Sequence, residues 1–290
     1  MGDWKDATEG PPTRVPDAVP VRGLVRRAAT ADQFARRRFP AGALLDEWVD
    51  YLWTVDWEAA EPFTSTVISF PAMHVTAEWG WAGERRHGHP LPATLVHGVV
   101  SRVFRVRLSG RGSVVGARFR PGGFAAWAGV DAWRFTDRAV PADAVLTPPA
   151  SQAHRELGPD LAAEDRAEAF RAVLAAFAPR AAPDRELAGL VRWMALDPTL
   201  VRVDQLADAT GWTARTLQRR FRTGVGVGAK WVLARYRLQQ AALALERDPE
   251  VDLAALAVRL GWYDQAHLTN DFRRMLGETP AQYAALAGRR

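Results

Sequence analysis

From Asp184 onward the chain carries one helix-turn-helix plan twice, and a duplicated supersecondary unit restricts the fold more tightly than any bulk property does. In the first copy, Val203 to Phe221, Leu206 and Ala207 face a core and Gly211 supplies the turn. Thr213 is placed to cap a second helix, whose Leu217 and Phe221 stand four apart on its buried side. In the second copy Leu253, Leu256 and Ala257 precede Gly261, Asp264 is placed to cap, and Leu268 and Phe272 repeat the spacing ahead of Met275. Superposition pairs Gly211-Trp212 with Gly261-Trp262. The second copy then holds one extra turn residue, Tyr263, before the register resumes. Such a pair suits DNA. A major groove admits one helix, so a longer site needs a second helix about 34 Å further along the duplex. Covalent linkage raises the effective concentration of that second reader.

The residues ahead of this module follow a different period. Val49, Tyr51, Trp53, Val55 and Trp57 alternate with mostly polar neighbours, the pattern of a half-buried strand. Thr66 to Phe70, His74 to Trp79, Val103 to Leu108 and Ser113 to Arg120 read as further short strands. Many short strands followed by helices predict an α+β chain: an N-terminal β-rich domain of barrel or sandwich type, then an all-α domain with two helix-turn-helix units. The boundaries are expected as a polar, Pro-rich tail over 1–40, the β-rich domain over 41–147, a helical connector and linker over 148–183, and the double unit over 184–290. Leu161 to Phe177 in the connector reads as a helix with Phe170, Val173, Leu174 and Phe177 along one side. That stripe suits packing on the β domain or on a second subunit. Pro179 and Pro183 mark the linker, and Asp184 is placed to cap the next helix.

Composition narrows the function classes. A chain of 290 residues, 48% apolar and 24% charged, is that of a soluble globular protein of two domains. The absence of cysteine removes disulfides, thiolate metal sites and cysteine nucleophiles. No run approaches the ~20 apolar residues of a membrane span, and no signal-peptide core is present, so the expected location is the cytoplasm with no membrane partner. The net charge of +5 is carried almost wholly by arginine, the only lysines being Lys5 and Lys230. Its location matters more than its size. Residues 184–290 hold 16 Arg and Lys against 12 Asp and Glu, whereas residues 1–183 hold 22 against 21.

The segment Gly261-Trp262-Tyr263-Asp264-Gln265-Ala266-His267-Leu268-Thr269-Asn270-Asp271-Phe272-Arg273-Arg274, followed by Met275-Leu276-Gly277-Glu278-Thr279-Pro280-Ala281-Gln282-Tyr283, resembles the signature of the AraC/XylS family of bacterial transcription regulators. The stretch Lys230 to Ala241 is similar to the long helix that joins the two units in that family. The resemblance implies a sequence-specific regulator bound to double-stranded promoter or operator DNA, with two recognition helices on one face of the duplex. No enzymatic activity and no cofactor are implied. Arg215, Gln218 and Arg219 match family positions that face base edges, where arginine and glutamine make bidentate contacts. On the second recognition helix Gln265, Ala266, His267 and Asn270 take those positions, with Asn270 standing where many relatives carry a basic residue. Arg220, Arg222, Arg273 and Arg274 are assigned to phosphates.

A β-rich domain ahead of the module resembles the family plan of a cupin-like sensory domain that binds a small-molecule effector or mediates homodimerisation. An activator of this type would also touch RNA polymerase. Trp48, Trp53, Trp57, Trp79, Trp81, Trp127 and Trp133 suit either an apolar pocket or core filling. Among the histidines, His74, His87, His89 and His97 are the candidate metal ligands. His87-Gly88-His89 has a cupin-like spacing, but beside Glu84, Arg85 and Arg86 it reads as an exposed loop, and no metal site is assigned. A metal-dependent cupin-like enzyme with an accessory helical domain is the alternative reading. The repair-type regulators of the family need a cysteine acceptor, which this sequence lacks.

Overall fold

The computed structural model describes residues 34–67 and 70–287, so nearly all of the stretch read as an N-terminal tail lies outside them. The last residues of that stretch are not tail. Phe34–Pro40 forms strand β1, paired antiparallel with the next strand from Phe34 opposite Trp57 to Pro40 opposite Tyr51. Arg36, Arg37 and Arg38 hide its alternation, and a charged edge strand needs only backbone pairing. Strand β2 is Val49–Val67, β3 His74–Trp79, β4 Arg85–Arg86, β5 His89–Pro90, β6 Ala93–His97, β7 Phe104–Phe119 and β8 Ala139–Pro141. Six of them make one antiparallel sheet in the order β1-β2-β7-β3-β6-β8, and β4 pairs with β5 alone. The two strands expected between Val103 and Arg120 are one: Gly110, Arg111 and Gly112 stay paired with Ala59, Glu58 and Trp57.

The alternation in β2 sorts two environments rather than core from solvent. Leu52 and Thr54 are fully buried against the helical side of the sheet, while Tyr51, Trp53, Val55 and Trp57 face the other way, onto a cavity. In β3, Val75, Ala77 and Trp79 join the main core, and His74, Thr76 and Glu78 face the cavity. Arg36 of β1 and His97 of β6 line the same cavity from distant positions in the strand order, so the sheet curves around it.

Helix α1, Gly123–Ala128, follows β7 directly. Gly123 is required there because a Cβ would run into the Trp48 carbonyl oxygen, and Phe124 and Trp127 pack with Phe119 at ring separations of 5.1 Å each. The short α2, Ala153–Glu156, leads to α3, Ala163–Ala175. The apolar stripe of α3 is covered within the chain: Phe170, Leu174 and Phe177 are buried on the sheet, and Arg166 reaches Asp56 at 2.5 Å. The linker is docked as well. Arg180 and Ala181 donate their amides to Trp127 and Ala126, and the Trp48 indole donates to the Ala181 carbonyl at 3.1 Å.

The remaining helices are α4 Arg185–Leu196, α5 Val203–Thr210, α6 Ala214–Arg220, α7 Ala229–Arg247, α8 Leu253–Arg259, α9 Gln265–Leu276 and α10 Pro280–Ala287. Their ends follow the sequence signals. Asp184, Thr213 and Asp264 accept hydrogen bonds from the amides of Leu187, Thr216 and His267, and the turns after α5 and α8 pass through Gly211 and Gly261 at φ 70 and 79°. A buried core runs without a break from Val49 and Phe119 through Phe124 to Leu190, Leu217, Phe221 and Tyr236. A second core joins Leu238, Leu245, Leu256, Leu268, Phe272 and Met275. Among the described residues no helix is long and apolar enough to cross a membrane.

Candidate functional site

Helix α6 presents Arg215, Gln218 and Arg219 to solvent, because Leu217 and Phe221 take the opposite side into the core. Among the described residues none of these three side chains forms a hydrogen bond or ion pair, so the row of donors stands open on the second helix of unit one. Arg220 does not. Its guanidinium binds Asp184 at 2.5 Å and Glu186 at 2.8 Å and lies 3.8 Å over the Trp212 ring. Arg220, expected from the sequence to contact phosphate, is thus already held by the anion that caps α4. Arg222 is exposed but stacks 4.4 Å over Trp133 of the β domain.

Helix α9 presents Gln265, Ala266, His267, Asn270, Arg273 and Arg274, all exposed. Asp271 tempers this surface. It accepts from the Trp262 indole at 3.0 Å and from Arg274 at 2.7 Å, which leaves Arg273 as the uncommitted cation of the pair. Tyr263, read from sequence only as an extra turn residue, is 88% exposed beside the first turn of α9. An aromatic next to a buried Trp262 gives no sequence signal of which ring faces out.

The β domain holds a cavity of about 210 Å³. Tyr51, Trp53, Val55, Phe104, Val106 and Leu108 form apolar walls, and Glu78, Arg86, His74, His87, His97 and Arg118 supply the polar groups. Of the seven tryptophans singled out, Trp53 and Trp57 line it. Trp127 is core, while Trp48 and Trp133 serve contacts between segments. The histidines divide too. The Trp53 indole donates to His74 Nδ1 at 3.3 Å, whereas His89 turns away to the Ala139 carbonyl at 3.0 Å. His87 is not in an exposed loop. It is half-buried, with its ring 5.0 Å from that of His97 and stacked on Phe104.

Glu78 closes this group. Its Oε1 lies 3.0 Å from His97 Nε2 and accepts from Thr76 Oγ1 at 2.7 Å, and its Oε2 accepts from Arg86 at 3.1 Å. Burial alone would raise the Glu78 carboxyl, but the His97 hydrogen bond and the Arg86 charge hold it below the usual carboxylate range. Burial, helped by His97, pushes His87 down to about 4, and burial with Arg118 holds His74 well below its ordinary value, so both rings are neutral near pH 7. Arg118 is itself buried, 3.0 Å from Asp50 and 4.7 Å over the Phe70 ring. Sequence reasoning missed Glu78. His74, Thr76 and Glu78 alternate with apolar residues as a solvated strand face would, and only the curvature of the sheet turns them inward.

Fold and surface together define a class: a curved β domain joined to a double helix-turn-helix module. A Helix-turn-helix domain family matches residues 206–285, and a Domain of unknown function (DUF6597) matches residues 37–141. The C-terminal module is 38% identical over 85 residues to the transcriptional regulator VirS of Mycobacterium tuberculosis, a match covering 29% of this chain and 24% of VirS. It is 36% identical over 81 residues to an AraC-like transcription regulator of Streptomyces antibioticus, covering 28% and 26%. The chain thus spans about a quarter of the length of the curated relatives it matches. Among solved structures, ToxT from Vibrio cholerae covers 88% of this chain and 98% of its own at 8% identity, with a TM-score of 0.39. The likeness to AraC-like transcription regulators is confined to this C-terminal helix-turn-helix module.

Proposed function

We propose that this chain is a cytoplasmic, sequence-specific DNA-binding regulator of transcription, in which α6 and α9 enter successive major grooves of a promoter or operator. The observation that carries the reading is the open donor row of Arg215, Gln218 and Arg219 on a helix whose opposite side is locked into the core. Those three read base edges in one groove, and Gln265, His267 and Asn270, with the small Ala266 permitting close approach, read the next. Arg273 binds phosphate, with Arg222 and Arg274 joining where DNA competes with Trp133 and Asp271. As an activator the chain would also touch RNA polymerase. A homodimer would need a surface other than the apolar stripe of α3, which the sheet covers.

The β-domain cavity supports binding of a small effector. It is walled by aromatic and aliphatic side chains with a few convergent polar groups, the usual make-up of a ligand site. Its rim also meets the DNA-binding half. Gly98, Val100 and Phe104 line the cavity, and within the same segment the Ser101 carbonyl accepts from the Trp231 indole of α7 at 3.2 Å. A ligand that shifts this segment therefore acts on the helix joining the two units.

Selection of random duplexes on the full chain tests the reading. Enrichment of one site bound in the nanomolar range, with affinity falling steeply as salt rises, is the expected result. Arg219→Ala should bring the enriched site close to random DNA, a loss of about 1–3 kcal/mol of discrimination. Unchanged preference in that variant would remove Arg219 from the base-reading set.

A further inference from the structure

We infer that Glu78, His87 and His97 form a binding site for one divalent first-row transition ion on the wall of the β-domain cavity. The three residues come from separate segments: Glu78 from β3, His87 from the turn between β4 and β5, and His97 from the end of β6. One ligand atom from each lies within 4.8 Å of the other two, a spacing that small side-chain rotations close onto a single ion. Two imidazoles and one carboxylate, with further positions open to a cavity, are a donor set for zinc and its neighbours rather than for calcium or magnesium.

The carboxylate is already oriented for the task. Arg86 holds Oε2, so Oε1 is the oxygen turned toward His97, and Thr76 Oγ1 stands 2.7 Å from that oxygen and 2.9 Å from His97 Nε2. An outer partner of this kind fixes a ligating carboxylate in place. Arg86 does not cancel the site's charge, because it also binds the buried Glu84 at 2.8 Å and stacks 4.7 Å over Trp57. Glu78, Glu84 and Arg86 together leave one net negative charge for a cation.

His87 brings the second imidazole to the cavity. With Gly88 it forms the two-residue turn of the β4–β5 hairpin, which needs positive φ at both positions, here 52° and 84°. Among the described residues its ring contacts His97 and Phe104 and makes no hydrogen bond, so its nitrogens are not taken up by the protein. The inference stands apart from DNA binding: the site lies wholly in the β domain and would be present whether or not α6 and α9 read DNA.

The test is metal titration of the chelator-stripped full chain with Zn²⁺, followed by calorimetry, and with Co²⁺, followed by its visible ligand-field bands. Uptake of one equivalent is expected, with a higher melting temperature and a Co²⁺ spectrum of nitrogen and oxygen ligation. His87→Ala and His97→Ala should each weaken uptake at least tenfold and abolish the melting shift, and Glu78→Gln should do the same while keeping the side chain's shape. His89→Ala should titrate like the wild type, since that ring is engaged elsewhere. His87 is half-buried, and far-ultraviolet circular dichroism of His87→Ala checks that it folds. A folded wild type that takes up no equivalent overturns the proposal, as does uptake that none of the three substitutions weakens.

Discussion

The two helix-turn-helix units share turn glycines, capping side chains and a buried leucine–phenylalanine pair, yet they are embedded differently. Leu217 and Phe221 close a core that continues into the β domain, whereas Leu268 and Phe272 close a separate core with Leu238, Leu245 and Leu256. Their cations differ accordingly. In unit one Arg220 is bound by Asp184 and Glu186 and Arg222 stacks on Trp133, while in unit two Arg273 stays uncommitted. One local plan therefore serves two tasks. Unit one is the joint between the β domain and the helical half, and unit two is hung from it by α7.

The largest effects should come from the equivalent phenylalanines. Phe221→Ala and Phe272→Ala each remove a fully buried ring and should cost about 3–5 kcal/mol. Hydrogen exchange resolved along the chain separates them. Phe221→Ala should loosen the β domain together with unit one, and Phe272→Ala should loosen residues 238–285 while the β domain keeps its protection. A β domain equally exposed in both variants would break the distinction.

Arg220 and Arg273 come next. Arg220→Ala should cost on the order of 1–2 kcal/mol of stability by freeing Asp184 and Glu186, discounted for their exposure, and leave the salt dependence of DNA binding unchanged. Arg273→Ala should leave stability alone and lower the slope of log affinity against log salt by about 0.9. The smallest effects belong to the caps. Thr213→Ala and Asp264→Ala should each cost about 1 kcal/mol by chemical denaturation, with the first felt by the whole chain and the second by unit two.

Much of this arrangement was legible in the sequence, where local chemistry decides it. Thr213, Asp264, Gly211 and Gly261 sit where caps and turns require them, and the four-residue spacing of Leu217 and Phe221 marked the buried side of α6. What the sequence left open depends on contacts between distant segments. Arg220 looks like any surface arginine until Asp184, far back in the chain, arrives beside it. The stripe from Tyr51 to Trp57 announced a strand, but whether it faced a core or a cavity was set by sheet curvature. His87 and His89 looked equivalent, and the turn between β4 and β5 sends one ring toward Glu78 and the other toward Ala139. A charged β1 showed no alternation at all, because an edge strand is held by its backbone.

In the proposed mode of binding, one chain places two recognition helices in successive major grooves. Affinity of the full chain for its selected site, measured by fluorescence anisotropy with and without five base pairs inserted between the two contacted segments, tests it directly. Half a helical turn moves the second segment to the far face of the duplex, about 10 base pairs making a full turn. The account predicts that binding falls to the level of a single segment and that a further five base pairs restore part of the loss. Equal affinity for the native and five-base-pair sites would contradict it.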